Sequence, residues 1–208
     1  MTEVLTFLKE FGRSHRDTGA IAPSGPRLAR ALTRYVIPSP GRGHAVLEVG
    51  PGTGSVTRHI TASLGAHDTL DLVESNPRFT ELLRREYGHD QRLRLLTGMV
   101  QDLPLGSYDT IVCGLPFANF DPATTEEILF QLLSTLQPGG TLSFFAYAGV
   151  PPLRRAFTVG EARDRTLATQ QVLGRTLERH AFRSETVLGN LPPARVHHLA
   201  PVVEHDHA

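Results

Sequence analysis

Cysteine is all but missing from this 208-residue chain. The single Cys113 excludes an intramolecular disulfide and any cysteine-cluster metal site, and its place in an apolar run predicts a buried, inert thiol. Long hydrophobic runs are also missing. No stretch approaches the about 18 consecutive apolar residues of a spanning helix. The opening MTEVLTFLKEFGR lacks the continuous apolar run and small-residue cleavage site of a secretory signal. The expected location is cytoplasmic. Lysine occurs once, at Lys9, so nearly all the basic residues are arginine, a bias that reflects a GC-rich genome more than chemistry. With 40% hydrophobic and 20% charged residues, the composition excludes disorder, fibre and coiled coil and fits one globular domain.

Net charge is zero, but it is unevenly spread. Residues 1–45 and 151–200 each carry +4, residues 46–150 carry −6, and the tail carries −2. Two basic flanks that meet in space would make a positive face for an anionic membrane or a nucleic acid, although scattered solvated arginines explain such a count more often.

From residue 45 onward, short apolar runs alternate with helical patterns. Residues 45–49, 69–73, 92–96, 110–113 and 141–147 read as strands, each bounded by Gly, Pro, Asp or Asn. Asn76-Pro77 caps a helix in which Phe79, Leu82 and Leu83 form the apolar stripe and Gly88 ends the pattern. A second helix spans 122–136, with Ile128, Leu129, Leu132, Leu133 and Leu136 on one side and Pro138-Gly139-Gly140 closing it. Repeated strand–helix–strand units of this length predict a doubly wound α/β domain with a parallel sheet. Residues 161–180 read as an Arg-rich helix, and 184–188 with 196–199 as a closing antiparallel hairpin. Amphipathic helices at 2–12 and 24–35 make residues 1–40 an extension, either a lid or a membrane contact. The domain proper then covers 41–200, followed by a tail over 201–208.

The strongest chemical signal is Val46-Leu47-Glu48-Val49-Gly50-Pro51-Gly52-Thr53-Gly54, a strand entering a glycine turn before a helix that opens near Ser55. Such a turn lets the backbone and the helix N–H groups approach a ligand closely. A dinucleotide is disfavoured, because Ser55 stands where the third fingerprint glycine belongs and Glu48 would set negative charge near a pyrophosphate. A ligand with an amine, a carboxylate and a ribose suits the residues better. Glu48 faces the ammonium, the N–H groups of Gly50, Gly52 and Gly54 take the carboxylate, and Glu74 with Ser75 binds the ribose hydroxyls from the tip of the next strand. That ligand is S-adenosylmethionine (SAM).

Together with Gly98-Met99, Gly114-Leu115-Pro116-Phe117 and Leu136-Gln137-Pro138-Gly139-Gly140, the glycine turn and Glu74 resemble class I SAM-dependent methyltransferases over residues 45–147. The resemblance implies a Rossmann-like seven-stranded sheet ending in an antiparallel hairpin. Many relatives carry Asp after the third-strand glycine to hold the adenine. Here Met99 stands there, with Val100 backbone or Asp102 as polar partners.

Outside that core, Phe7-Leu8, residues 18–24, the loop 114–120, Tyr147 and residues 190–196 resemble bacterial phospholipid N-methyltransferases. That resemblance implies stepwise methylation of the amine of phosphatidylethanolamine toward phosphatidylcholine by an enzyme peripherally associated with the membrane. Gly114, Leu115, Asn119 and Tyr147 are the residues expected to orient the amine. Phe117, Phe120 and Tyr147 are expected to hold the methylated headgroup, and Arg195 with Tyr147 its phosphate. Asp121 and His15 are weak candidates for a general base.

The rival readings are an adenine N6-methyltransferase of ribosomal RNA, whose loop Gly-Leu-Pro-Phe resembles, and a small-molecule methyltransferase with a helical lid. Against a flipped base, Gly114 offers no side chain to clamp a planar amine, and zero net charge with no basic tail disfavours a nucleic-acid partner. A glycine serving only a tight turn would leave both acceptors open.

Overall fold

The computed structural model describes residues 25–38, 41–147, 161–188 and 193–202. The expected helix at 2–12, His15, residues 190–192 and the tail from 203 onward lie outside the described residues. So does part of the 1–40 extension.

The apolar runs pair into one sheet. β1 (Ala45–Val49), β2 (Thr69–Glu74), β3 (Leu93–Thr97), β4 (Tyr108–Cys113), β5 (Leu136–Tyr147), β6 (Ala181–Val187) and β7 (Ala194–Leu199) lie in the order β3-β2-β1-β4-β5-β7-β6. The first five run parallel, while β7 runs antiparallel to both β5 and β6. The predicted α/β sheet and its closing hairpin are therefore present. β1 is apolar at nearly every position because both faces of a parallel sheet are covered, and Val46 to Val49 are all buried.

One face of the sheet carries α1 (Pro26–Leu32), α2 (Thr57–Ser63) and α3 (Pro77–Tyr87), which bring Leu28, Leu32, Ile60 and Leu83 against Val46, Leu72 and Val112. The other carries α4 (Pro122–Ser134) and α5 (Glu161–His180), with Ile128, Leu129 and Leu132 packed on Leu47, Ile111 and Phe144. The helix starts follow their caps. Asn76 Oδ1 accepts from the Arg78 N–H at 3.0 Å, and Asp121 does the same for Thr124 at 2.9 Å, each just ahead of a proline that suits the first turn.

Several boundaries differ from expectation. α4 stops at Ser134, and the Pro138-Gly139-Gly140 stretch belongs to β5, which begins at Leu136 where that buried side chain joins the sheet core. In α3 the stripe falls on Thr80 and Leu83, while Leu82 is 40% exposed. α1 is shorter than 24–35, and α2 begins at Thr57 after a turn instead of at Ser55.

The basic flanks do meet, since α1 packs against β5, β6 and β7. One of their arginines is spent there, because Arg34 binds both carboxylate oxygens of Glu185, at 2.9 and 2.7 Å. Cys113 is buried as expected, and burial pushes its thiol up to about 12.

Candidate active site

Strand order reverses between β1 and β4, and the carboxyl ends of a parallel sheet open a crevice at such a switch point. The glycine turn enters it from β1. Gly50 has a φ of +72°, which favours glycine, and its N–H donates to the Val73 carbonyl at 2.9 Å, so the turn is pinned to the end of β2. A pocket forms there. Gly50 and Gly52 line it from the turn, Glu74 and Ser75 from β2, Gly98, Met99 and Val100 from the stretch after β3, and Gly114, Leu115 and Phe120 from the loop after β4.

Glu74 organises this end. Its carboxylate accepts from the Gly52 N–H (3.1 Å) and the Asn76 N–H (2.8 Å), tying the turn to the start of α3. Burial raises its pKa, and the backbone donors of Asn76, Gly52 and Ser75 oppose the rise. A carboxylate offers about four lone-pair sites, so acceptor capacity remains for hydroxyls of a ligand.

Glu48 lies on the same sheet face, beneath the turn and not in the pocket wall, and is 2% exposed. Burial pushes it up to about 8, and the Glu74 charge adds to the rise. The polar groups of nearby Thr57 offset part of that cost, but neither Glu48 Oε2 nor Thr57 Oγ1 makes a hydrogen bond within the protein. Gly54 is also set back from the pocket, against Tyr87 and Leu83.

The loop after β4 is fastened to the glycine turn. Gly114 N–H donates to the Val49 carbonyl at 2.8 Å, and a Cβ built on Gly114 would stand 2.8 Å from the Gly50 carbonyl oxygen. Gly114 therefore has a packing reason to be glycine, so its lack of a side chain does not by itself choose between acceptors.

Other expected contacts are placed elsewhere. Phe117 is 2% exposed and packs edge-on against Phe144 at 5.4 Å, as a core residue outside the pocket wall. Asn119 is exposed in the 3-10 turn Phe117–Asn119, and Asp102 is exposed after β3; neither lines the pocket. Asp121 caps α4, and its bonds to the Thr124 hydroxyl and amide hold its carboxyl below the usual range, which removes it as a base. Tyr147 pairs with Ala194 and Arg195 with Ala146, so these two side chains lie on opposite faces of the sheet. Neither lines the pocket.

Asn76, Phe79 and Gln101 line the pocket and were not anticipated there. In the sequence, helix capping accounts for Asn76 and helical periodicity for Phe79, so neither signals a ligand. Gln101 follows the Gly98-Met99 signal by two residues, and the 3-10 turn Val100–Asp102 brings it back toward the crevice.

The acceptor set suits SAM on observed features. Glu74 stands at the pocket wall for hydroxyls and the glycine turn lets a ligand approach closely, but the N–H groups of Gly50, Gly52 and Gly54 are given to the Val73 carbonyl, Glu74 and the Pro51 carbonyl, so the expected carboxylate cradle from these three is not formed.

Residues 46–140 match the family model described as a methyltransferase domain. The ornithine lipid N-methyltransferase of Singulisphaera acidiphila is 27% identical over 150 residues, covering 69% of this chain and 77% of that protein. Ribosomal RNA small subunit methyltransferase A of Geobacter sulfurreducens is 31% identical over 103 residues, covering 46% of this chain but 34% of that protein. Among solved structures, the N-methyltransferase NodS from Bradyrhizobium japonicum WM9 superposes with a TM-score of 0.61 at 15% identity, covering 83% of this chain and 94% of that one. Cofactor-bound Rv0187 from MTB gives 0.61 at 13% identity, covering 86% and 82%. Strand order, glycine turn and structural likeness agree on the α/β Rossmann-like methyltransferase fold, and residues 46–140 match its methyltransferase domain.

Proposed function

We propose that the chain is an aminolipid N-methyltransferase, moving methyl groups to the amine of phosphatidylethanolamine and its methylated forms toward phosphatidylcholine. The observation that carries this reading is the acceptor wall. Beside Gly114 it consists of backbone and of the apolar Leu115, Pro116, Phe120 and Ile128, none of which carries a polar group that would clamp a planar base amine. An alkyl amine has its own lone pair once deprotonated and needs alignment and exclusion of water more than a clamp. The 27% relative, named for methylating an aminolipid, supports the same class of acceptor.

When bound, SAM supplies an electrophilic methyl group. The chain's own residues then divide the work. Glu74 holds ribose hydroxyls, the side-chain-free turn at Gly50 and Gly52 lets the cofactor lie close to the backbone, and the carbonyls of Gly114 and Leu115 orient the amine by accepting its N–H. Phe120 offers an aromatic wall for a headgroup that gains permanent charge as it is methylated. Among the described residues no helix is long and apolar enough to cross a membrane, so access to lipid is proposed to be peripheral, through the arginine-bearing flanks.

The ribosomal RNA reading rests on relatives of which the chain spans about a third, and Phe117, the ring that would stack on a flipped base, is held in the core. One experiment separates the readings: incubation with methyl-labelled SAM and phosphatidylethanolamine liposomes, with ornithine lipid, ribosomal RNA and a panel of small amines in parallel. Label in extracted phosphatidylethanolamine is the expected result. Label confined to RNA or to a soluble amine overturns the lipid reading.

A further inference from the structure

Two carboxyls, Glu48 and Glu74, stand on one face of the sheet at the root of the glycine turn, and the fold treats them unequally. Glu74 receives two backbone N–H groups, from Gly52 and Asn76, which hold its charge. Glu48 is almost wholly buried, and its Oε2 has no hydrogen-bond partner. When two acids stand close together away from water, the proton settles on the more buried one with the fewer donors.

The other groups around Glu48 do not change this ordering. Tyr87 of α3 is the second titratable neighbour, a phenol that burial pushes up to about 12 and whose hydroxyl lies 3.4 Å from the Gly54 carbonyl. From α2, Thr57 brings an unpartnered hydroxyl, while Arg58 faces Glu86 at the surface, 3.7 Å away. β4 opposes Glu48 with Val112, and β2 with Leu72.

We propose that Glu48 carries a proton until the cofactor binds and surrenders it on binding, so that cofactor capture and Glu48 ionisation form one linked step. The proton passes from the carboxyl to solvent, and no bond of the cofactor changes. The ligand that drives this must bring positive charge to the turn, as the ammonium and sulfonium of SAM do. A carboxyl raised to about 8 still holds its proton at neutral pH. The ionised form is the one that binding favours. Affinity for SAM therefore rises with pH, by up to about tenfold per pH unit, until the ligand's own α-amine, with an ordinary pKa of about 7.7–8.0, begins to lose its charge.

The test is calorimetric titration of the full chain with SAM at pH 6.5, in two buffers of different ionisation enthalpy. At that pH an α-amine, with an ordinary pKa of about 7.7–8.0, is already protonated and contributes no proton of its own. The expected result is close to one proton released per SAM bound by the wild type, and almost none by Glu48→Gln, whose amide mimics the protonated acid. Infrared difference spectroscopy of the wild type gives a readout independent of the variant, because the carbonyl band of a protonated carboxyl should vanish on adding SAM. Wild-type binding without proton release, or equal release by the variant, overturns the proposal. The inference rests on the cofactor and not on the lipid. Failure of lipid labelling with proton release intact would remove only the acceptor reading.

Discussion

Gly114 is where a single atom has the largest predicted consequence. A Cβ there would stand 2.8 Å from the Gly50 carbonyl, backbone against backbone, with no flexible side chain to give way. Gly114→Ala is expected to cost about 1–3 kcal/mol in denaturant unfolding and to weaken SAM binding, since the displaced Gly50 lines the cofactor pocket. Glu48 gives the second residue-level prediction. An acid whose folded pKa stands above its unfolded value of about 4.5 makes the folded state the better proton binder, so stability falls as pH rises from there to about 8. Glu48→Gln removes that slope. Its advantage over the wild type should grow between pH 5 and 8, by at most about 1.4 kcal/mol per pH unit. Tyr147 and Arg195 lie on opposite faces of the sheet and do not converge on one phosphate. If the proposed lipid acceptor is the substrate, the double variant Tyr147→Phe, Arg195→Ala is thus expected to have a KM for phosphatidylethanolamine no higher than that of the worse single variant. Gly50, Gly52 and Glu74 at the pocket wall were legible in the sequence because a glycine turn is local, whereas Glu48 and Gly54 fall behind that wall, and Tyr147 and Arg195 depended on a register between strands that no local pattern encodes.

Elements show the same division between local and distant information. The starts of α3 and α4 were readable because Asn76 and Asp121 cap within the same few residues that announce them. The end of α4 was not, because Leu136 is apolar in helix and strand alike, and only its place in the sheet core assigns it to β5. In α3 the burial of Thr80 reflects a short side chain that bonds back to the Asn76 carbonyl at 3.1 Å while lying against the core, which a hydrophobic count overlooks. α4 offers a direct check of which face is buried. Leu132 is fully buried and Phe130 is 73% exposed. Leu132→Ala should destabilise by about 2–5 kcal/mol, and Phe130→Ala by less than about 0.5 kcal/mol, as measured by chemical denaturation.

At the scale of the whole molecule, the far end of the sheet carries an acid limb that opposes the Glu48 slope. Burial, with Arg195 and His198 adding to it, pushes His197 down to about 4. His198 is lowered by burial as well, although its Nε2 lies 3.2 Å from Glu185 and its Nδ1 2.8 Å from the Ser143 hydroxyl. Histidines held neutral in the fold contribute stability that is lost as pH falls through about 6.5 toward 4. Melting temperature against pH should therefore form a dome with its top near pH 6, a rough position set by where the two limbs cross. Saturating SAM is expected to lift the alkaline side by drawing the proton off Glu48. Arg195→Ala should soften the acid side by relieving His197. A dome without an alkaline limb would show that Glu48 is not the group responsible.

The hydrogen bond from Gly114 to Val49 has an evolutionary corollary. It splints the glycine turn to the loop proposed to receive the acceptor, so a change at the joint should disturb both ligands at once. New acceptor preferences are then easiest to acquire from Leu115 onward, and a mutagenesis library that spares residues 49, 50 and 114 gives up little diversity of use.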